Sequence, residues 1–257
     1  MQTFPLLDSP THPLTRAAGA PIFISGCNRG GTTILSRLLA AHPQCCNIGR
    51  GDFNEGLYIW RRRFPDRSRH RWAVWPWRVF IRKTEAAATP ETVRFFRDAF
   101  DRASGPHGRL LEKTPANAVR VPFIDRLYPD CHFVHVLRDG RHTTASLIAR
   151  RVWAGYAPHQ WVGAHRTALA DFRRLPETRV TLVRYEELLT EPERVLGRVA
   201  ERCELDWDRT GRSAVLAAAH TLIRPPDDRW PRLSRSTRSY VLSVIAPLQR
   251  ELGYPIE

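Results

Sequence analysis

A short run rich in glycine and threonine follows the first strongly apolar stretch of the chain. It reads SGCNRGGTT and ends in Gly30, Gly31, Thr32 and Thr33. A turn of this composition between a strand and a helix exposes consecutive backbone N–H groups at the helix N-terminus, where the helix dipole also favours negative charge. The glycines allow close backbone approach, and the threonine hydroxyls add donors. The run therefore predicts a binding site for a phosphate-type anion.

The spacing of this run is close to that of the P-loop of nucleoside triphosphatases. Gly26 and Gly31 are separated by four residues, as in that motif, but Thr32 stands where its lysine belongs. The missing lysine argues against a P-loop kinase or a related nucleotide hydrolase, which we keep as an alternative. A tight turn with a purely structural role is the other alternative.

A second anion site is indicated near the middle of the chain. Arg138 directly follows the apolar run VHVL, and ligands of open α/β sheets bind at the carboxyl ends of such strands. Ser146 and Arg150 are four residues apart in the next segment, so they share one face of a helix there. Guanidinium groups match phosphate oxygens in pairs. The alternative is a surface pair of Arg138 with Asp139 beside a solvated helix.

Strand-like apolar runs and helical patterns alternate along the chain, and they position both candidate sites. This alternation predicts an α/β fold: a single domain with a central, mostly parallel sheet flanked by helices. A capping box at Thr190–Glu193 predicts the start of a helix, with Thr190 as the cap. Strands are expected at 21–25, 109–111, 131–137 and 179–185, and helices at 32–41, 141–151 and 239–252.

Length and composition narrow the class of protein. The 257 residues, 42% of them hydrophobic, fit one domain over 1–257, with a flexible segment at 1–20. No stretch approaches the ~20 apolar residues of a membrane helix, and the N-terminus does not resemble a signal peptide, so we expect a cytoplasmic protein without a transmembrane segment. The five cysteines lack metal-ligand spacing, so reduced thiols and no metal site are expected.

The chain has a net charge of +14, and almost all of its positively charged side chains are arginines. Of 40 basic residues only Lys83 and Lys113 are lysines. A codon bias towards arginine explains most of this excess, but it makes each lysine informative, since a compact ammonium and a planar guanidinium do different chemistry.

One segment, residues 60–83, combines aromatic and basic residues. It holds four of the eight tryptophans and nine Arg or Lys residues against one acid, Asp66. Such a stretch could bind single-stranded nucleic acid, a sugar or an anionic membrane surface. The alternative is a surface helix or hairpin whose tryptophans pack onto the core. A nucleic-acid-binding protein is therefore a further alternative for the whole chain.

Together, the two anion-site motifs resemble those of the sulfotransferases that use 3′-phosphoadenosine 5′-phosphosulfate (PAPS), in the bacterial and tyrosylprotein-type branch. The resemblance implies the P-loop-like sulfotransferase fold and transfer of a sulfuryl group from PAPS to an acceptor hydroxyl or amine, leaving PAP, without a metal ion. The acceptor would be a small molecule, a sugar or a peptide, and no nucleic-acid partner is expected. Five pieces carry the resemblance, in the family's order: 28–43, 111–115, 136–150, 183–193 and 245–254.

The resemblance also implies roles for the nucleotide-site residues. Arg29, Gly30, Gly31, Thr32 and Thr33 would hold the 5′-phosphosulfate. The 3′-phosphate would be held by Arg138, Ser146 and Arg150, and Tyr185 would line the nucleotide site.

Catalytic roles follow from the same resemblance. Lys113 falls where the tyrosylprotein-type enzymes place a lysine against the transferring group, and there it would stabilise charge on the leaving phosphate; the alternative is a charge partner for Glu112. A carboxylate base is expected after His42-Pro43, at Glu55.

Several assignments stay open at this stage. Asp52 is the alternative base, and His107 is the fallback. Residues 224–238 correspond to the loop that closes over the nucleotide in the family, without individual ligands being assigned. The aromatic-rich segments 52–83 and 152–161 are expected to shape the acceptor pocket.

Overall fold

Five short strands pair in parallel and carry the loops of interest at one edge. The computed structural model describes residues 19–51, 54–66, 68, 70–105, 108–225 and 227–256. The strands are β1 (Ile22–Gly26), β2 (Cys45–Asn47), β3 (Arg109–Lys113), β4 (His132–Leu137) and β5 (Val180–Arg184), in the spatial order β2-β3-β1-β4-β5. Every strand pair in the described part of the chain is parallel. The predicted α/β fold with a central parallel sheet is therefore confirmed.

Helices connect the strands and cover both faces of the sheet. They are α1 (Thr32–Leu39), α2 (Leu57–Arg63), α3 (Trp77–Ile81), α4 (Pro90–Ser104), α5 (Val121–Leu127), α6 (Gly140–Ile148), α7 (Ala157–Phe172), α8 (Tyr185–Thr190), α9 (Pro192–Arg202), α10 (Arg209–Leu222) and α11 (Arg235–Glu251). Short 3-10 turns lie at Glu85–Ala87, Pro115–Val119, Glu177–Arg179 and Trp230–Arg232.

The core has two parts, one on each face of the sheet, because alternate side chains of β1 point to opposite faces. Phe23 belongs to an aromatic part whose rings pack in tilted and edge-on contacts with Phe100 and Phe133. Ile22 and Ile24 belong to an aliphatic part built with α1, α9 and α10. Every side chain of β1 is fully buried, so the strand that leads into the glycine-rich turn is held from both sides.

Two local predictions are wrong, and both failures lie at helix ends. The helix after β4 ends at Ile148, not near residue 151: Arg151 takes a left-handed φ of 63°, and the amide of Val152 donates to the carbonyl of Leu147. This is the pattern of a Schellman-type end. Thr190 does not cap a helix, because it is the last residue of α8, and its hydroxyl donates back to carbonyls of that helix.

The tryptophan-rich segment 60–83 divides between core and surface. Trp60 and Trp72 are buried, and the guanidinium of the buried Arg120 lies 4.4 Å from the Trp60 ring centroid. Trp75 is 74% exposed. The core-packing interpretation therefore holds for one part of the segment and fails for the other.

No helix in the described ranges is long and apolar enough to cross a membrane.

Three buried histidines are hydrogen-bonded to polar side chains inside the fold. The Ser25 hydroxyl lies 2.8 Å from Nδ1 of His135, whose Nε2 lies 2.9 Å from Nδ1 of His165, and His132 pairs with Thr181. Burial lowers the pKa of His132 to about 4 and of His165 to about 3, and places that of His135 well below its ordinary value. These side chains are therefore neutral in the folded protein.

We expect the free energy of unfolding to fall as the pH drops below about 6.5, where unfolded histidine takes up a proton that the folded protein does not. The slope is about 1.4 kcal/mol per pH unit for each of the three histidines. Urea unfolding between about pH 7 and pH 4.5 measures it. His165→Gln should flatten the slope, whereas His220→Gln, at an exposed position, should not. Equal slopes for the two variants would contradict this account.

Candidate active site

The glycine-rich turn leaves β1 at its carboxyl end and begins α1. Gly31 is the N-terminal cap of α1 with a left-handed φ of 98°, and Arg29 has a φ of 66°. A Cβ at Gly31 would collide with the ring of Tyr185, at the start of α8. Glycine is therefore required here both by the backbone conformation and by the close approach of the tyrosine.

Four residues that the sequence assigned to the nucleotide site lie together. Nε of Arg29 donates to Oγ of Ser146 at 3.1 Å, and Nη1 of Arg138 donates to the carbonyl of Arg29 at 3.0 Å. The Arg138 guanidinium lies 4.3 Å from the centroid of the Tyr185 ring. The two motifs thus form one site, because the turn after β1 and the end of β4 are neighbours.

The charges at this site are poorly balanced by the protein itself. Burial lowers the pKa of Arg29, and the nearby cations Arg150, Arg229 and Arg138 lower it further. Nε of Arg138 is buried and has no hydrogen-bond partner among the described residues. Converging guanidinium groups repel one another, so a bound anion would relieve this repulsion and supply the missing acceptor.

Arg229 is a member of this group that the sequence did not single out. It lies beside the 3-10 turn Trp230–Arg232, within the segment 224–238 that was expected to lie over the nucleotide. Nothing in the local pattern RPPDDRWPR distinguishes it from its neighbours. Only the fold reveals its proximity to Arg29.

Arg150 is positioned by a turn and not by the helix that the sequence predicts. It does not share a helical face with Ser146, because α6 ends at Ile148 and Arg150 lies in the turn beyond it. There it lines the cleft described below.

Asp139, which follows Arg138 after β4, has partners other than Arg138. The carboxylate of Asp139 accepts from Arg141, at 2.7 Å, and from the side-chain amide of Gln249. Nε1 of Trp161 donates to the carbonyl of Arg138. The alternative of an Arg138–Asp139 surface pair is therefore wrong, and the Arg138 side chain faces Arg29 and Tyr185 instead.

Lys113 joins the turn to a carboxylate. It ends β3, and its Nζ donates to Oγ1 of Thr33 at 3.2 Å and to Oε1 of Glu55 at 3.3 Å. The lysine side chain is fully buried and Glu55 is 19% exposed. Burial lowers the pKa of Lys113, and the charge and hydrogen bond of Glu55 oppose that shift. A lysine from the neighbouring strand thus contacts the turn, which has no lysine of its own.

Glu112 is not the contact partner of Lys113. Its Oε1 accepts from the Thr114 hydroxyl at 2.6 Å and its Oε2 accepts from the Asn117 amide at 2.5 Å. Burial raises the pKa of Glu112. A small charge interaction with Lys113 remains, but the bonded carboxylate is that of Glu55.

A glycine holds Glu55 in place. The amide of Gly56 donates to the carbonyl of Lys113 at 3.2 Å, and a Cβ at Gly56 would collide with Oε1 of Glu112. Glu55 itself pairs through its backbone with Arg50. The other two candidate bases, Asp52 and His107, lie outside the described residues.

A cleft of about 450 Å³ opens beside Glu55. Asn28 of the turn lines it together with residues 114–116 and 150–152. The other lining residues are Glu55, Leu57, Arg61, Asp66, His70 and Trp72. Nε1 of Trp72 donates to Oδ1 of Asn28, which ties the tryptophan-rich segment to the anion site. Both segments expected to shape an acceptor pocket thus contribute to it. A wider groove of about 760 Å³ beside β5 contains none of the predicted site residues.

An arginine-lined turn at the carboxyl edge of a parallel sheet is typical of α/β enzymes that act on phosphate-bearing nucleotides. The profile of the Sulfotransferase family matches residues 21–209 of the chain. The chain therefore belongs to the sulfotransferase family. The segment around Arg229 lies beyond the matched residues.

Curated relatives agree with this membership. The chain is similar to a protein-tyrosine sulfotransferase of Drosophila melanogaster (24% identity, covering 87% of this chain and 45% of that protein) and to human protein-tyrosine sulfotransferase 1 (24%, 91% and 69%). The chain spans about half the length of the Drosophila relative and of one from Caenorhabditis elegans.

Among solved structures, the fold is similar to that of sulfotransferase STF9 from Mycobacterium avium. The TM-score is 0.64 at 15% identity, covering 95% of this chain and 80% of that one. The sulfotransferase domain of the Synechococcus PCC 7002 olefin synthase gives a TM-score of 0.54 at 17% identity, covering 94% and 98%.

Gly56→Ala should lower the rate of sulfuryl transfer by about 100-fold, because the added Cβ displaces Glu55 from Lys113, and misplacement by about 1 Å costs that much. Steady-state turnover measures the effect, with thermal unfolding as a check on folding. Gly197→Ala, where the new Cβ would meet the Trp207 ring nitrogen at 3.3 Å, is the matched control. Unchanged turnover in a folded Gly56→Ala protein would show that this contact does not position the site.

Proposed function

We propose that this chain transfers the sulfuryl group of PAPS to a hydroxyl or amine of a small molecule, sugar or peptide, leaving PAP. One observation carries the proposal: Lys113 contacts both Thr33 of the anion-binding turn and the carboxylate of Glu55. Lys113 would therefore connect the site for the donor to a group that can take a proton from the acceptor.

The residues present fit PAPS as the donor. Its phosphosulfate suits the turn at 29–33, which begins α1, and its 3′-phosphate suits Arg138, Ser146 and Arg150. The unpartnered Nε of Arg138 and the mutual repulsion around Arg29 both favour an anion with several charges. Arg229, which is paired with Asp227 at 2.8 Å, would add a guanidinium from the segment that follows α10, and the Tyr185 ring would face the nucleotide.

PAPS, when bound, supplies the sulfuryl group, and two side chains of the protein act on the transfer. The carboxylate of Glu55 accepts the proton of the attacking hydroxyl or amine at Oε1 or Oε2. The ammonium of Lys113 stabilises the negative charge that develops on the leaving oxygen. Because Lys113 is buried, its charge acts in a medium of low dielectric, where it is stronger than in water.

The cleft beside Glu55 would hold the acceptor. Its volume of about 450 Å³ lies within the range of small-molecule sites. Trp72 and Val152 offer apolar walls, whereas Arg61 and His70 offer polar groups near the mouth. A small acceptor with an apolar body and one hydroxyl fits this lining, and a peptide or sugar end could enter it as well.

Arg138→Ala should weaken PAP binding by about 1.5–3 kcal/mol, the typical contribution of a charged hydrogen bond. Isothermal titration calorimetry measures the affinity. Arg209→Ala, at an exposed arginine that begins α10, is the control and should bind PAP as the parent protein does. Equal affinities for both variants would remove Arg138 from the nucleotide site.

Glu55→Gln and Lys113→Ala should each lower kcat by about 100-fold or more, the usual range for a general base or a charge-stabilising group, while PAP affinity changes little. Transfer of labelled sulfate from PAPS across phenols, sugars and peptides measures kcat once an acceptor is found. Glu85→Gln, an exposed carboxylate, serves as the control. If Glu55→Gln kept the parent kcat, the base would have to be Asp52 or His107.

A further inference from the structure

Four of the six large apolar side chains that are exposed in the described part of the chain lie in two segments that also contribute to the cleft. Trp75, Val79 and Phe80 are 74%, 65% and 67% exposed, and Trp153 is 68% exposed. We call these four residues, with Arg78 between them, the rim patch. Scattered apolar residues on a surface need no explanation, but a contiguous group of this size usually marks an interaction site.

The two halves of the rim patch are adjacent in the fold. The Arg71 guanidinium lies 4.6 Å from the Trp77 ring centroid and 5.7 Å from that of Tyr156, and the Tyr156 ring lies 5.1 Å from Trp153. Segments 72–80 and 152–156 are thus joined through one cation. Trp72 and Val152 line the cleft itself, and Trp75 and Trp153 follow them in the chain by three residues and by one residue.

The two segments that form the patch carry charge of one sign. No acid occurs in residues 71–84 or 151–158, and the chain as a whole carries a net charge of +14. Arg78 is exposed and makes no ion pair with any described residue, whereas Arg82 is neutralised by Asp171 at 2.8 Å. The partner of this surface must therefore accept apolar side chains and carry negative charge.

We propose that the rim patch binds the surface of an anionic lipid bilayer. Tryptophan and phenylalanine side chains enter the boundary between headgroups and acyl chains, and flanking arginines contact the anionic headgroups. The short helix α3 presents Val79 and Phe80 to solvent while Ile81 anchors it to the core, so the apolar side chains are held outward by the fold.

Two other partners fit these observations less well. In a symmetric dimer a second copy would bring its own arginines to the same patch, and like charges would face one another. Single-stranded nucleic acid would need a row of free cations along a groove, but Lys83 bonds to the Phe80 carbonyl and Arg71 is held between two rings. Both remain outcomes of the test.

Co-sedimentation with large unilamellar vesicles tests the proposal on the full chain. The vesicles contain either phosphatidylcholine alone or about 30% phosphatidylglycerol in phosphatidylcholine. We expect binding to the anionic vesicles, weaker binding to the neutral ones, and a loss when the salt rises from about 0.1 M to about 0.5 M. Equal, salt-independent or undetectable binding would overturn the proposal.

Substitutions locate the binding surface. Val79→Ser/Phe80→Ser should weaken partition into anionic vesicles by about tenfold or more, since both side chains lose their apolar contact. Leu182→Ser, at an exposed apolar residue of β5, is the control and should bind as the parent protein does. Should the double variant fail to fold, Arg78→Glu, which reverses the exposed charge, is expected to reduce binding by a similar factor.

The remaining outcomes are also decisive. Vesicle binding that the substitutions leave unchanged would place the surface elsewhere and overturn the proposal. A third outcome is that the protein does not bind vesicles but self-associates or binds a single-stranded oligonucleotide. If that binding depends on Val79 and Phe80, that partner replaces the bilayer. The assay requires no turnover, so its result is independent of the proposed function.

Discussion

The central strand β1 pairs in parallel with a neighbour on each side, and the rest of the site depends on that register. Gly26 is opposite Val136 of β4, and Ile24 is opposite Lys113 of β3. Because parallel strands end at the same edge, the turn after β1, the arginine after β4 and the lysine that closes β3 must meet there. A slip of one residue would turn Lys113 to the other face of the sheet.

Charges buried at this edge are tolerated because each has specific partners. Lys113 bonds to Glu55 and Thr33, and Glu112 bonds to two neutral donors while it excludes any side chain at position 56. The arginine group at Arg29 and Arg138 is different, since its members mainly repel one another. An uncompensated group of this kind costs stability in the free protein, and that cost favours binding of an anion.

The parts of the site that could be predicted from the sequence are those encoded locally. The turn at 29–33 and the strand that ends at Arg138 are recognisable because composition and apolar runs act over a few residues. Arg229 and Gly56 were not recognised, since their roles arise from contacts with residues far along the chain. The short strand β2 was missed for the same reason: its three residues, Cys45–Asn47, become a strand only by pairing with β3.

The choice of lysine at position 113 also has a physical basis in the fold. The side chain is enclosed between β3, the turn and the 54–56 segment, where its small ammonium bonds to a hydroxyl and a carboxylate at 3.2 and 3.3 Å. A guanidinium brings five N–H donors in a rigid plane, and burying them without acceptors costs free energy. In a chain where nearly every other cation is arginine, this enclosed space provides a reason, separate from codon usage, for keeping a lysine at this position.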